Sequence, residues 1–279
     1  MRHVAHSFVF ILLLAIGCGE EFSDEVAAPA GGFQMTFEDQ FDGPAGNPPD
    51  LTKWTFDTGT GVNGWGNQEL QFYTGRPENV ALDGDGHLVI TAIEESFSGA
   101  EYTSARIKTL GEAVDFSQRY GRFEARMQLP GPGAGLWPAF WMLGAGFEDD
   151  EPWPFVGEID IMENIGRADT VYGTIHGPEY SGADSIGRRL VSEGTDYTTG
   201  FHVFSVDWDP TSIIWRIDGE QFFRVNTGGT PGPWVFDTPF YMILNLAVGG
   251  NFPGNPTDAT PFPAQLIVDY VRVYERVPQ

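Results

Sequence analysis

Ten segments of this chain carry β-branched and aromatic residues in alternation or in short apolar runs, and no long segment spaces its apolar residues for a helix. They are HLVITAIE (87–94), YTSARIKTL (102–110), YGRFEARMQL (120–129), LWPAFWML (136–143), GEIDIMENI (157–165), VYGTIHG (171–177), FHVFSVDWD (201–209), SIIWRIDGEQFFRV (212–225), FYMILNLAV (240–248) and LIVDYVRVYE (266–275). Asp218-Gly219, inside the eighth, marks a tight hairpin turn. The connectors hold many of the 36 Gly and 20 Pro, and two of them, 41–74 and 144–155, are long enough to carry function. Strands in this number without helices predict two antiparallel sheets packed face to face, an all-β sandwich of jelly-roll type. One domain is expected over 33–279.

One strand departs from the ordinary pattern. VGEIDIMENIG (156–166) sets Glu158, Asp160 and Glu163 among Ile159, Ile161, Met162 and Ile165, which occupy both faces. Acids are depleted from strands and rarely buried unpaired, whereas apolar residues on both faces mark a strand covered from two sides. The acids are therefore expected to line a cleft. Strict alternation would turn Glu163 away from the other two. A β-bulge around Ile161–Met162 absorbs one residue and returns all three to one face.

The two glutamates then stand about four strand steps apart, roughly 13 Å between Cα atoms. Side chains leaning inward narrow the carboxyl separation to about 5–6 Å, nearer the retaining glycosidases (about 5–5.5 Å) than the inverting ones (about 6.5–9.5 Å). One glutamate would be nucleophile and the other acid/base. Asp160 between them would share a proton with Glu158 and raise the pKa of Glu163 by repulsion.

Charge narrows the choice of partner. With 39 Asp+Glu against 15 Lys+Arg, the net charge of −24 argues against nucleic acid or any other anionic polymer and leaves neutral partners open. A single cysteine excludes an intramolecular disulfide framework. The chain begins with Arg2 and an apolar run, Phe8–Ile16, too short to span a bilayer. Its end, LAIGC, resembles the lipobox of bacterial lipoproteins. That implies a signal peptide over 1–17, lipidation of Cys18 and an acidic flexible tether over 18–32. The expectation is an exported monomer, held by its lipid at the cell surface or in the periplasm, with ordinary secretion as the alternative.

GEIDIMENIG also resembles the signature of glycoside hydrolase family 16 in its laminarinase-type form, with the extra residue before the last glutamate. The resemblance runs over nearly all of 33–277, through GWGNQELQFYT, YGRFEARMQLPGPGAGLWPAFWMLG, TIHGP, FHVFSVDWDPTSIIWRIDG and ILNLAVGGNFPGNP. It implies a jelly roll with a carbohydrate cleft on its concave sheet. The implied activity is retaining endo-hydrolysis of neutral β-glucan, most often at β-1,3 bonds and in some members at mixed-linkage β-1,4 bonds. Glu158 would be the nucleophile, Asp160 its partner and Glu163 the acid/base.

Trp137 and Trp141 lie four apart on one strand face, and the resemblance puts them in the cleft, to stack on sugar rings, beside Asn67, Glu69, Arg106 and His176; Asn245 is a further candidate. Trp54, Trp208 and Trp215 are expected in the core. His176 would hydrogen-bond Glu163 or sit as a satisfied buried histidine. No catalytic metal or other cofactor is expected, for want of Cys/His ligand spacing. The resemblance implies a structural calcium held by Glu38, the backbone of Gly86 and Asp269. Two other readings stay open: an agar-type hydrolase of the same family, and a non-catalytic β-glucan-binding module. Sulfated carrageenan fits an acidic chain poorly.

Overall fold

Alternation along FYMILNLAV sorts its residues onto two faces. Phe240, Met242, Leu244, Leu246 and Val248 enter the main core, while Tyr241, Ile243, Asn245 and Ala247 face the other way. This strand, Phe240–Val248, lies inside a seven-stranded antiparallel sheet of a computed structural model that describes residues 32–277. The signal peptide, Cys18 and all of the tether but Gly32 lie outside the described residues. The order across this sheet is Ile186–Val191, Thr170–His176, Glu158–Glu163, Leu136–Gly144, Phe240–Val248, Arg106–Lys108 and Thr55–Asp57.

A ten-stranded sheet packs on its inner face. Its central strands are His202–Asp209, Gly121–Gln128 and Ala264–Arg276, paired antiparallel. Between the layers Phe123, Ala125 and Met127 meet Phe140, Met142, Ile159, Ile161 and Met162 in one core cluster. Each fully buried side chain of this kind contributes about 1.5–3 kcal/mol, so the inter-sheet layer is the main source of stability. Trp54, Trp208 and Trp215 are buried as expected, each with its indole N–H satisfied: by Asp39 Oδ2 at 2.8 Å, the Phe236 carbonyl at 3.2 Å and the Asp160 carbonyl at 2.7 Å. The Asp218-Gly219 hairpin forms between Ser212–Ile217 and Glu220–Asn226, with φ of 50° and 84° at the two turn residues.

YTSARIKTL is not one strand. Ala100–Ser104 pairs with Leu88–Phe97 in the larger sheet, and after the buried Ala105 the chain crosses so that Arg106–Lys108 pairs with Phe240–Val248 in the smaller one. The break places Arg106 on the face that carries the acids. Short helical turns at Ala145–Asp149 and Gly182–Asp184, and a left-handed turn through Gly64–Gly66, occupy connectors. Strands at Phe33–Asp39, Thr55–Asp57 and Ile186–Val191 add to the ten read from the sequence.

Candidate active site

The bulge lies where the acid spacing requires it. Against Leu136–Gly144, Phe140 pairs with Met162 and Trp141 with Asp160, so Ile161 is passed over. On the other side Asp160 pairs with Thr174 and Glu163 with Tyr172, leaving Ile161 and Met162 opposite Gly173. Both bulged side chains enter the core, and Glu158, Asp160 and Glu163 share the outer face of the smaller sheet. A Cβ on Gly173 would come within 2.5 Å of Trp215 Cδ1, so the tryptophan that caps the Asp160 carbonyl also requires glycine opposite the bulge.

Each acid has a distinct environment. Asp160 and Glu163 are buried, and Glu158 is partly open. Trp153 Nε1 donates to Glu158 Oε2 at 3.2 Å and Trp137 Nε1 to Glu163 Oε1 at 3.0 Å. His176 Nε2 lies 3.1 Å from Asp160 Oδ2 and 3.5 Å from Glu158 Oε1, so the structure sets it against this pair rather than against Glu163. The cause is register, because His176 pairs directly with Glu158 across the strands. Asp160 Oδ2 has the His176 ring as its neighbour.

Burial and then the Asp160 charge push Glu158 up to about 7, against the opposing pull of His176 and Arg106. The same two causes raise Glu163 well above the carboxylate range. Burial resists charge on His176, but the three surrounding carboxylates outweigh it and raise the ring to about 9. The backbone N–H of Gly182 donates to Nδ1 at 3.1 Å, which puts the proton of the neutral ring on Nε2, toward Asp160. A second proton on the ring would cost the Gly182 bond.

The residues expected from the sequence to bind sugar come together beside the acids. Trp141 Nε1 donates to Asn245 Oδ1 at 2.8 Å, and Asn245 Nδ2 donates to the Tyr73 hydroxyl at 3.2 Å. Glu69 accepts from Tyr73, Gln71 and Asn67, and burial raises its pKa. The Arg106 guanidinium lies 4.8 Å from both the Trp65 and the Trp141 ring centroids, with Nε 2.8 Å from Asp57 Oδ2. Trp137 meets Phe252 edge to face at 5.7 Å, and Phe252 meets Tyr172 at 5.0 Å. Trp65, Tyr73, Trp153, Tyr172 and Phe252 escaped the sequence reading. For Trp65, Tyr73, Trp153 and Phe252 the signal was an aromatic residue in or beside a Gly/Pro-rich connector, which does not say toward which sheet it folds; Tyr172 lies in a strand whose facing depends on its register.

Glu38, Gly86 and Asp269 lie on the larger sheet and its turns. Glu38 Oε1 accepts from Arg272 and from Gln40, both at 2.9 Å, and Asp269 Oδ2 is paired with Arg126. Oxygen donors suit calcium, but two guanidinium groups already neutralise these carboxylates, so the set fits a cation poorly as it stands.

Residues 66–272 match the sequence model of glycosyl hydrolases family 16. A β-glucanase of Rhodothermus marinus is 42% identical, over 99% of this chain and 97% of its own. A glucan endo-1,3-β-glucosidase of Cryptopygus antarcticus is 38% identical, over 91% of each. The solved catalytic domain of an endo-1,3-β-glucanase (laminarinase) from Thermotoga petrophila superposes with a TM-score of 0.80 at 42% identity, over 88% of this chain and 99% of that one.

Proposed function

The chain belongs to glycosyl hydrolases family 16, and on that premise we propose that it is a retaining endo-hydrolase of β-1,3-glucan of the laminarin type. The bulge supports this reading most directly, because it puts Glu158, Asp160 and Glu163 on one face. Glu163, held protonated by burial and Asp160, gives its proton to the glycosidic oxygen as that bond breaks. Glu158, ionised, attacks the anomeric carbon and forms the glycosyl-enzyme ester. Glu163 then takes a proton from water, whose oxygen displaces Glu158 and restores both groups. Trp153 and His176 hold Glu158 from two sides and limit its rotation. Paired acids in this arrangement would be superfluous in a module that only binds glucan.

Mixed-linkage glucan is a second substrate on this reading, since an endo-1,3-1,4-β-glycanase of Rhizobium meliloti is 34% identical. Release of reducing ends from laminarin, lichenan, agarose and xylan tests the assignment. Laminarin should be cleaved fastest and to internal fragments, and agarose cleaved in preference would overturn it.

Two further properties rest on sequence alone. Export with lipid on Cys18 predicts incorporation of labelled fatty acid that Cys18→Ala abolishes. Calcium on Glu38, Gly86 and Asp269 would require both carboxylates to leave their arginine partners, and a melting temperature unchanged by chelation would exclude it.

A further inference from the structure

In a chain with 39 acids, most arginines face a carboxylate: Arg76, Arg106, Arg122, Arg126 and Arg216 among them. Arg188 and Arg189 are exposed and face none among the described residues. They stand on Ile186–Val191, the edge strand of the sheet that carries the acids. Charge on an edge strand blocks pairing with another chain, and that explanation covers both arginines equally. Their faces separate them.

Directly paired residues of antiparallel strands lie on one side of the sheet. One row crosses this sheet from Arg106 through Asn245, Ala139, Glu163 and Tyr172 to Arg189. Arg189 is therefore on the face of the catalytic acids. Arg188 has the parity of Ile186 and Leu190, which pack against the core. Two strand spacings put Arg189 about 10 Å from Glu163, on the order of two hexose rings laid end to end. Arg106 and its polar network lie in the opposite direction along the same row. Tyr172 stands between Arg189 and Glu163 in that row, and its ring meets Phe252, which in turn meets Trp137 on the other side of the acids.

We propose that Arg189 is a substrate-positioning residue that binds the hydroxyl groups of the sugar about two units from the cleaved bond, on the side away from Arg106. A guanidinium presents paired donors in a fixed plane, which suits adjacent hydroxyl oxygens of one ring, and no carboxylate competes for it. The enzyme would then grip the glucan on both sides of the scissile bond, with Arg189 setting how long a substrate must be to react well. This inference rests on the β-glucanase reading.

The test is kcat/KM on laminari-oligosaccharides of increasing length for wild type, Arg189→Ala, Arg189→Lys and Arg188→Ala. Arg189→Ala should lose about ten-fold, mostly through KM, on oligosaccharides long enough to reach it and almost nothing on shorter ones. The lysine variant should recover part of the loss, and Arg188→Ala should match wild type at every length. Melting temperatures should agree throughout. Equal losses in the two alanine variants, or no length dependence in Arg189→Ala, would overturn the assignment. A wild type inactive on every length would overturn the β-glucanase reading itself, and this inference with it.

Discussion

Trp215 and Asp160 belong to different sheets, yet the indole N–H of one donates to the carbonyl of the other at 2.7 Å through the middle of the core. The bond sits where the bulge interrupts the regular ladder, and the same ring lies against Gly173 on the next strand. A core residue thus holds the backbone that aims the acids. Trp215→Phe should keep most of the packing but leave a buried carbonyl unpaired, at a cost of about 1–3 kcal/mol. The check is a denaturation curve together with kcat. Unchanged stability would mean that the carbonyl finds another donor.

Glu158→Ala should abolish hydrolysis and leave the fold intact, because it removes the covalent nucleophile. Azide should restore cleavage of an activated β-glycoside and give the α-glycosyl azide. A β-azide would exchange the roles of Glu158 and Glu163.

The pH profile follows from the same charges. Activity needs Glu158 ionised and Glu163 protonated, so kcat/KM should rise through an acidic limb near the Glu158 value of about 7 and fall again as Glu163 ionises. These values belong to the coupled cluster as a whole. A cationic His176 favours ionised Glu158, so His176→Ala should move the acidic limb to higher pH. A limb that stays in place would mean that the ring is neutral during turnover.

Stability should oppose activity at this site. A carboxyl whose folded pKa is raised binds its proton more tightly than the unfolded chain does. Stability is therefore lost as pH rises from about 4.5 through the folded value. Glu163→Gln removes that penalty, so its melting temperature should exceed wild type by more at pH 8 than at pH 4. An equal difference at both would show that Glu163 pays no ionisation cost.

What was legible in the sequence divides along the range of the interactions. Alternation in 240–248 and the parity of Glu158, Asp160 and Glu163 are local, and from them one segment was legible as a strand and another as a bulged one. The crossing at Ala105 was hidden, because YTSARIKTL has β-strand composition on both sides of the break. Partners of side chains were harder still. That His176 meets Asp160 and Glu158, that Trp153 reaches back to Glu158, and that Arg189 shares a row with Glu163 all depend on strand register. Register is set by the whole sheet, not by any segment of it.

The bulge itself can be tested by length. Deleting Met162 turns EIDIMEN into EIDIEN, a regular strand that keeps all three acids on one face without an extra residue. The cost is the lost core side chain, about 2–5 kcal/mol by analogy with Met→Ala, since Met162 is fully buried. Activity per folded molecule should stay within about ten-fold of wild type, because an error in parity is what would be costly. Inserting a glycine beside Met162 leaves one residue too many. Either Glu163 turns into the core or a wider bulge must displace Trp215 from its seat against Gly173, so activity should fall far more. Assays on folded protein, checked by near-ultraviolet dichroism, compare the two. Similar losses from deletion and insertion would show that the acids are aimed by something other than the bulge.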